Sequence, residues 1–178
     1  MPSAAAPLPE QAVDEAFERL FREHHAFVYR TAYSVTGTRH DAEDVLQTIF
    51  LRLLRRGLPV DVQQNPKAYL HRAAINVSLN IVRARKRQHP FDDVEALRAV
   101  APVVEGNQAD EMRARLIRAM GELRPRVVEM LVLRYEHDYS DAEIARMLGT
   151  SRGVVAVTLF RARARLKKAL RAPAGEQS

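Results

Sequence analysis

Apolar positions recur at helical spacing along almost the whole chain. Phe17, Leu20, Phe21, Phe27, Val28 and Ala32 fit one or two amphipathic helices across 11–35, and Gly37 breaks the pattern. Asp41 is placed to cap the next helix, whose Val45, Ile49, Phe50, Leu53 and Leu54 run to Gly57-Leu58-Pro59. Asn65-Pro66 opens another. Pro66 suits a first turn, where the N–H it lacks would have no helical partner. Leu70, Ala74, Val77, Ile81 and Val82 carry this helix to the basic run 83–87, RARKR. In the second half, Met112, Leu116, Ile117, Met120 and Leu123 predict one helix. Pro125 opens the next, with Val128, Leu131, Val132 and Tyr135 expected to face inward. Ser140 and Glu143 have capping-box spacing, Ile144, Ala145, Met147 and Leu148 form a short apolar face, and Gly149 ends that helix. Ser151 can cap a last helix with Val155, Leu159, Ala162, Leu166 and Ala169 on one stripe. No alternating strand pattern and no internal repeat is present. The fold class is all-α.

Charge divides this row of helices in two. Residues 88–112 carry six acids (Asp92, Asp93, Glu95, Glu105, Asp110, Glu111) against Arg98 alone, with Pro90, Pro102 and Gly106 among them. We read 88–109 as an acidic linker, able to hold a helical turn near Val94–Ala99, between an N-terminal helical domain (11–87) and a C-terminal one (110–171). The tails, 1–10 and 172–178, read as disordered. Two short helices joined through Gly149 are a helix-turn-helix. From Arg146 to Arg171 there are eight Lys or Arg residues and no acid. Such a second helix suits nucleic-acid phosphate, and the net charge of +6 with a pI near 10 agrees.

Other chemistry is thin. The chain has no Cys, which excludes disulfides and cysteine metal sites. His24, His25, His40, His71, His89 and His137 form no metal-ligand motif, and there is no Gly-rich phosphate loop or GxSxG. We expect no catalytic site, cofactor or metal. No signal peptide and no run of apolar residues long enough to span a membrane is visible, so cytoplasmic location without membrane insertion is the expectation. Three surfaces stand out. Arg161, Arg165 and Lys168 share one face of the last helix, and Arg152, Val154, Ala156, Val157 and Thr158 sit at its start, where a helix-turn-helix meets bases. Asn76 and Asn80, one turn apart, precede the basic run; a plainly solvated face and contact with separated bases both fit them. Asp44, Gln47 and Thr48 make a polar stripe, readable as a dipole-favoured acidic first turn or as a protein-binding face.

Together the two halves resemble the extracytoplasmic-function sigma factors of bacterial RNA polymerase. DAEDVLQTIFLRLLRR (41–56) is similar to the family's polymerase-binding helix, and NPKAYLHRAAINVSLNIVRARKR (65–87) to its −10-reading segment. Residues 120–166 resemble the domain that reads the −35 element. The resemblance implies a transcription initiation factor that directs core polymerase to promoters and aids their melting. By residue, it implies that Asp44, Gln47, Phe50 and Leu51 dock on the β′ clamp. Asn76 would capture an unpaired −10 base, with Asn80, Arg83 and Arg87 nearby on DNA. Arg152, Val155, Thr158, Arg161 and Arg165 would face the −35 element. It also implies an anti-sigma protein as a further partner, and a linker running through the polymerase's RNA-exit path. Many relatives read GTVKSRLxRA where this chain has Gly153 to Ala162, so Ala156 and Thr158 replace an expected Lys and Arg. The alternatives are a free-standing helix-turn-helix regulator and a module that titrates polymerase or an anti-sigma protein. Neither a stand-alone regulator's DNA binding nor its fold requires 41–56 beside 65–87.

Overall fold

The structure is a computed structural model that describes residues 10–88 and 108–171. Residues 1–9 and 172–178 of the expected tails, most of the linker and the turn near Val94–Ala99 lie outside these residues; Glu10, read as part of the tail, begins the first helix. Among the described residues there are eight helices and no strand: α1 (Glu10–Thr36), α2 (Arg39–Arg56), α3 (Val60–Gln64), α4 (Pro66–Gln88), α5 (Gln108–Gly121), α6 (Pro125–Tyr135), α7 (Asp141–Leu148) and α8 (Arg152–Arg171).

The boundaries follow from local chemistry, with some differences from the sequence reading. The 11–35 pattern forms one helix, α1, closed by Gly37 at φ 79°. Thr38, not Asp41, caps α2: its hydroxyl accepts the Asp41 N–H at 3.1 Å. Asp41 instead sits inside the first turn, pairs with Arg85 of α4 and pins α2 to it. The unpredicted α3 is too short to show a period; it inserts Val62 into the core. Helix α4 continues through the basic run, so Gln88 ends α4 and Gln108 and Ala109 begin α5; the linker is shorter than 88–109. Tyr135 does not face inward. It is the last residue of α6 and is exposed.

Helices α1, α2 and α4 pack around Val28, Ala32, Val45, Ile49, Leu70 and Ala74. The second core, of α5 to α8, holds Ile117, Leu123, Leu133, Ile144, Val155 and Leu159. It also takes in Phe27 and Val35 of α1 and Ile75, Leu79 and Val82 of α4. The two halves therefore share one hydrophobic cluster. Full burial of a side chain of this size stabilises by roughly 1.5–3 kcal/mol, so the seam is a substantial interface. Its closeness is visible at Gly121, where a Cβ would meet Val82 Cγ1 at 3.2 Å.

The helix-turn-helix has the capping chemistry its sequence specifies. Ser140 Oγ accepts the Glu143 N–H, and the Glu143 carboxylate accepts the Ser140 N–H at 2.8 Å. Those bonds from Ser140 hold the Glu143 carboxyl below the usual range. Gly149 closes α7 at φ 63°, a left-handed conformation that L side chains resist. Gly149→Ala is expected to cost about 1–2 kcal/mol, read as a Tm lower by several degrees; an unchanged Tm would contradict strain at this turn.

Candidate polymerase-binding and DNA-binding surfaces

Helix α2 buries Val45, Ile49, Phe50 and Leu53 and turns its opposite side outward. Asp44, Gln47, Leu51 and Leu54 lie on that outer face at spacings of three and four, one row along the helix. Leu51 is 47% and Leu54 52% exposed. Leucines at that exposure beside acidic and amide groups make a surface with an apolar centre and a polar rim. His40 stands 3.5 Å from Asp44 at its N-terminal end. Phe50 is a correction to the sequence reading. It is 4% exposed, with Phe21 edge-on at 4.9 Å and Phe17 at 6.1 Å, so it supports α2 from behind and offers nothing to a partner. Leu54, which the apolar pattern grouped with the buried positions of α2, is exposed one turn beyond Leu51 instead.

On α4, Asn76, Asn80 and Arg87 are exposed. The neighbouring Ile75 and Leu79 are buried in the seam. The rest of the basic run is tied to protein. Arg83 is half-buried and donates to the carbonyls of Gly121 (3.0 Å) and Leu123 (2.9 Å), at the C-terminal end of α5. Arg85 is held by Asp41, and Lys86 pairs with Glu122. The sequence put Arg83 with Arg87 on DNA; the fold directs the two side chains to different surroundings.

Helix α8 packs on α6 and α7 through Val155, Leu159 and Ala162. Arg152 in its first turn and Ala156, Arg161 and Arg165 further along stand in the open, with Thr158 partly so. Val154, Val157 and Phe160 are 50%, 48% and 68% exposed. Val155 is the second correction. Fully buried, it belongs to the core and cannot meet a base. Ser151 accepts the Val154 N–H at 3.2 Å and so fixes where α8 begins. The orientation of α7 is braced from below. Arg126 reaches the Leu148 carbonyl while its other nitrogen meets the buried Glu129 carboxylate at 3.0 Å.

A polar group that sequence reasoning missed lies in the seam. His71 of α4 and His137, in the turn after α6, approach with ring centroids 6.1 Å apart beside Phe27 and Thr31 of α1. Burial pushes His71 down to about 4, and burial with the nearby charges of His71, Arg30 and Lys67 pushes His137 down to about 3. Among the described residues, no group of three or more His, Cys, Asp or Glu could hold a metal ion, and no helix is long and apolar enough to cross a membrane.

A helical bundle with an outward stripe on α2, followed by a helix-turn-helix with a basic outer face, is the arrangement of a two-domain sigma factor. Residues 20–88 match Sigma-70 region 2, and residues 113–166 match Sigma-70, region 4. The chain is similar to the ECF RNA polymerase sigma factor SigM of Mycobacterium tuberculosis, with 34% identity over 156 residues, 87% of this chain and 77% of that protein. It is equally similar to the RNA polymerase sigma-E factor of Streptomyces antibioticus, 34% over 155 residues, covering 86% and 84%. Among solved structures it is similar to the sigma factor RpoE of Bartonella quintana, crystallised with the anti-sigma factor NepR. Identity there is 19% and the TM-score 0.49, over 89% of this chain and 99% of that one. The chain belongs to the extracytoplasmic-function sigma factors. It is a transcription initiation factor that binds core RNA polymerase and directs it to promoters.

Proposed function

We propose a division of that activity among the surfaces described. Asp44, Gln47 and Leu51, extended by Leu54, dock α2 on the β′ clamp of the polymerase. Asn76, Asn80 and Arg87 of α4 take the −10 element, with Asn76 holding an unpaired base, and Arg83 joins them when its protein partners release it. Arg152, Thr158, Arg161 and Arg165 of α8 meet the −35 element. The observation that carries this reading is that the outward faces of α2, α4 and α8 each hold residues of matching chemistry, while apolar neighbours such as Ile49, Leu79 and Leu159 fill the cores. With Ala156 and Val157 in place of polar groups, base reading at −35 relies on Arg152, Thr158 and contact of Val154 and Val157 with thymine methyls. Melting consists of trapping separated bases, with no chemistry on DNA. Tethering the two DNA-reading elements raises the effective concentration of the second once the first has bound. Residues 11–87 and 110–171 act as the two sigma domains, joined by the acidic segment, in the cytoplasm. An anti-sigma protein is a further proposed partner, on family membership.

Arg161→Ala tests the α8 assignment. Removing one phosphate contact lowers the slope of log K against log salt by about 0.9 and weakens duplex binding by about 1–3 kcal/mol. A salt slope equal to that of the parent protein would remove Arg161 from the interface.

A further inference from the structure

The polar atoms in the seam form a chain with one consistent direction. Arg30 Nη2 donates to His137 Nδ1 at 3.1 Å. With Nδ1 accepting, the neutral His137 ring carries its proton on Nε2, which lies 2.8 Å from Thr31 Oγ1 and donates to it. The Thr31 hydroxyl points its own proton at His71 Nδ1, 3.4 Å away. His71 Nε2–H in turn donates to the Glu129 carbonyl at 3.1 Å. Arg30, Thr31 and His71 belong to the first half; His137 and Glu129 belong to the second. Three of these four bonds cross the seam.

We infer that this chain is a proton-sensitive latch that holds the two halves closed only while His71 and His137 are both neutral, and that its closure keeps Arg83 on the α5 carbonyls and off DNA. A proton added to either ring must sit on Nδ1. At His137 that N–H would face the Arg30 guanidinium, donor against donor, and break the link. At His71 the Thr31 hydroxyl would have to turn its proton away from the ring, and a full charge would sit on a wholly buried imidazole between the halves. The surroundings offer no compensation. Helix α1 presents Arg30, with His24 on the same helix near Lys67; α4 presents Lys67, over the Phe27 ring at 4.9 Å and the Tyr139 ring at 5.0 Å, and Arg72. Helix α6 presents Glu129, whose carboxylate is already taken by Arg126 at 3.0 Å and Arg72 at 3.9 Å. Glu136 and Asp138, on either side of His137, are exposed.

The sign follows from the two histidines. In the closed form they titrate at about 4 and about 3; once the halves part they return toward the ordinary value of 6.5. The open form therefore takes up protons that the closed form refuses. Closure is complete above about pH 6.5 and weakens as pH falls from there toward 4. Between pH 7.5 and 5.5 each histidine shifts the balance about tenfold toward opening, and the pair about 100-fold.

The latch stands on the seam geometry, and its consequence for Arg83 rests on the proposed role of that residue at −10. One experiment separates them. The full chain has no cysteine, so Arg55→Cys and Ala142→Cys, at exposed positions in opposite halves, accept a donor and an acceptor dye. The opening constant, read from energy transfer along a urea titration, is expected to rise about 100-fold from pH 7.5 to pH 5.5. His71→Gln with His137→Gln should make it independent of pH over that range. Thr31→Val keeps both rings and removes the relay; it should open the halves roughly tenfold more at pH 7.5. An opening constant that is the same at both pH values in the parent protein overturns the latch, whatever the variants do. In the second arm, forked DNA with an unpaired −10 strand is bound at pH 7.5. Thr31→Val should bind it several-fold tighter than the parent protein, and lose that gain when Arg83→Ala is added. A Thr31→Val protein that opens and binds no tighter leaves the latch standing and overturns Arg83 as a −10 contact.

Discussion

Leu51→Asp combined with Leu54→Asp is expected to weaken binding to core polymerase by at least ~100-fold and to leave the fold intact. Both side chains are about half exposed and contribute little to the core beneath them, so substitution there should alter stability by no more than about 0.5 kcal/mol each. At an interface the balance reverses. A desolvated apolar anchor at the centre of a contact costs on the order of 2 kcal/mol or more when removed. Placing a carboxylate where an apolar pocket closes adds a desolvation cost. Two such positions together predict a loss of at least ~100-fold, since each 1.4 kcal/mol is a factor of ten. Co-purification with core and a fluorescence-anisotropy titration measure the loss, and thermal melting reports the fold. Undiminished binding with an unchanged Tm would show that α2 docks elsewhere. Phe50→Ala provides the contrast: it should lower the Tm first, because Phe50 packs against Phe17 and Phe21.

The second large effect separates two adjacent valines on α8. Val155→Asp places a carboxylate in the core that Ile144, Leu148 and Leu159 fill. Burying such a group costs more than about 4 kcal/mol, a large part of the whole stability of a small domain. The helix-turn-helix should lose its cooperative unfolding transition, seen by circular dichroism and calorimetry. Val154→Asp, one residue earlier and half exposed, should fold normally. It should weaken duplex binding at least tenfold, because a carboxylate would then face DNA phosphate. If Val155→Asp melts like the parent protein, the register of α8 on α7 is wrong. If Val154→Asp binds DNA as well as the parent, the outer face of α8 is not the reading face.

The helices were legible because their stripes are regular and their ends carry explicit chemistry. Pro66 and Pro125 open helices, Ser140 with Glu143 closes a capping box, and Gly149 takes the left-handed turn. Periodicity put Phe50 and Val155 on the apolar stripes of their helices, and the structure holds them there; the resemblance gave both a partner-facing role, which their burial denies. Their apolar neighbours Leu51 and Val154 point outward instead, because a helix turns by about 100° per residue. The seam was not legible at all. Thr31 and His137 meet across 106 positions, and nothing in a single sequence states that pairing. Arg83 looked like a DNA ligand because charge runs near a basic helix end usually face phosphate or water; its partners are carbonyls left over at the end of α5, which only the packing of the halves supplies.

Run-off transcription with purified core polymerase on a library of promoter sequences probes the division of labour most directly. The parent protein should yield transcripts from a defined set of start points. Leu51→Asp with Leu54→Asp should yield none, and Arg152→Ala with Thr158→Ala should retain initiation while relaxing the −35 preference. Transcripts of undiminished yield from the α2 variant, or an unaltered promoter preference in the α8 variant, would contradict the assignment of these two faces.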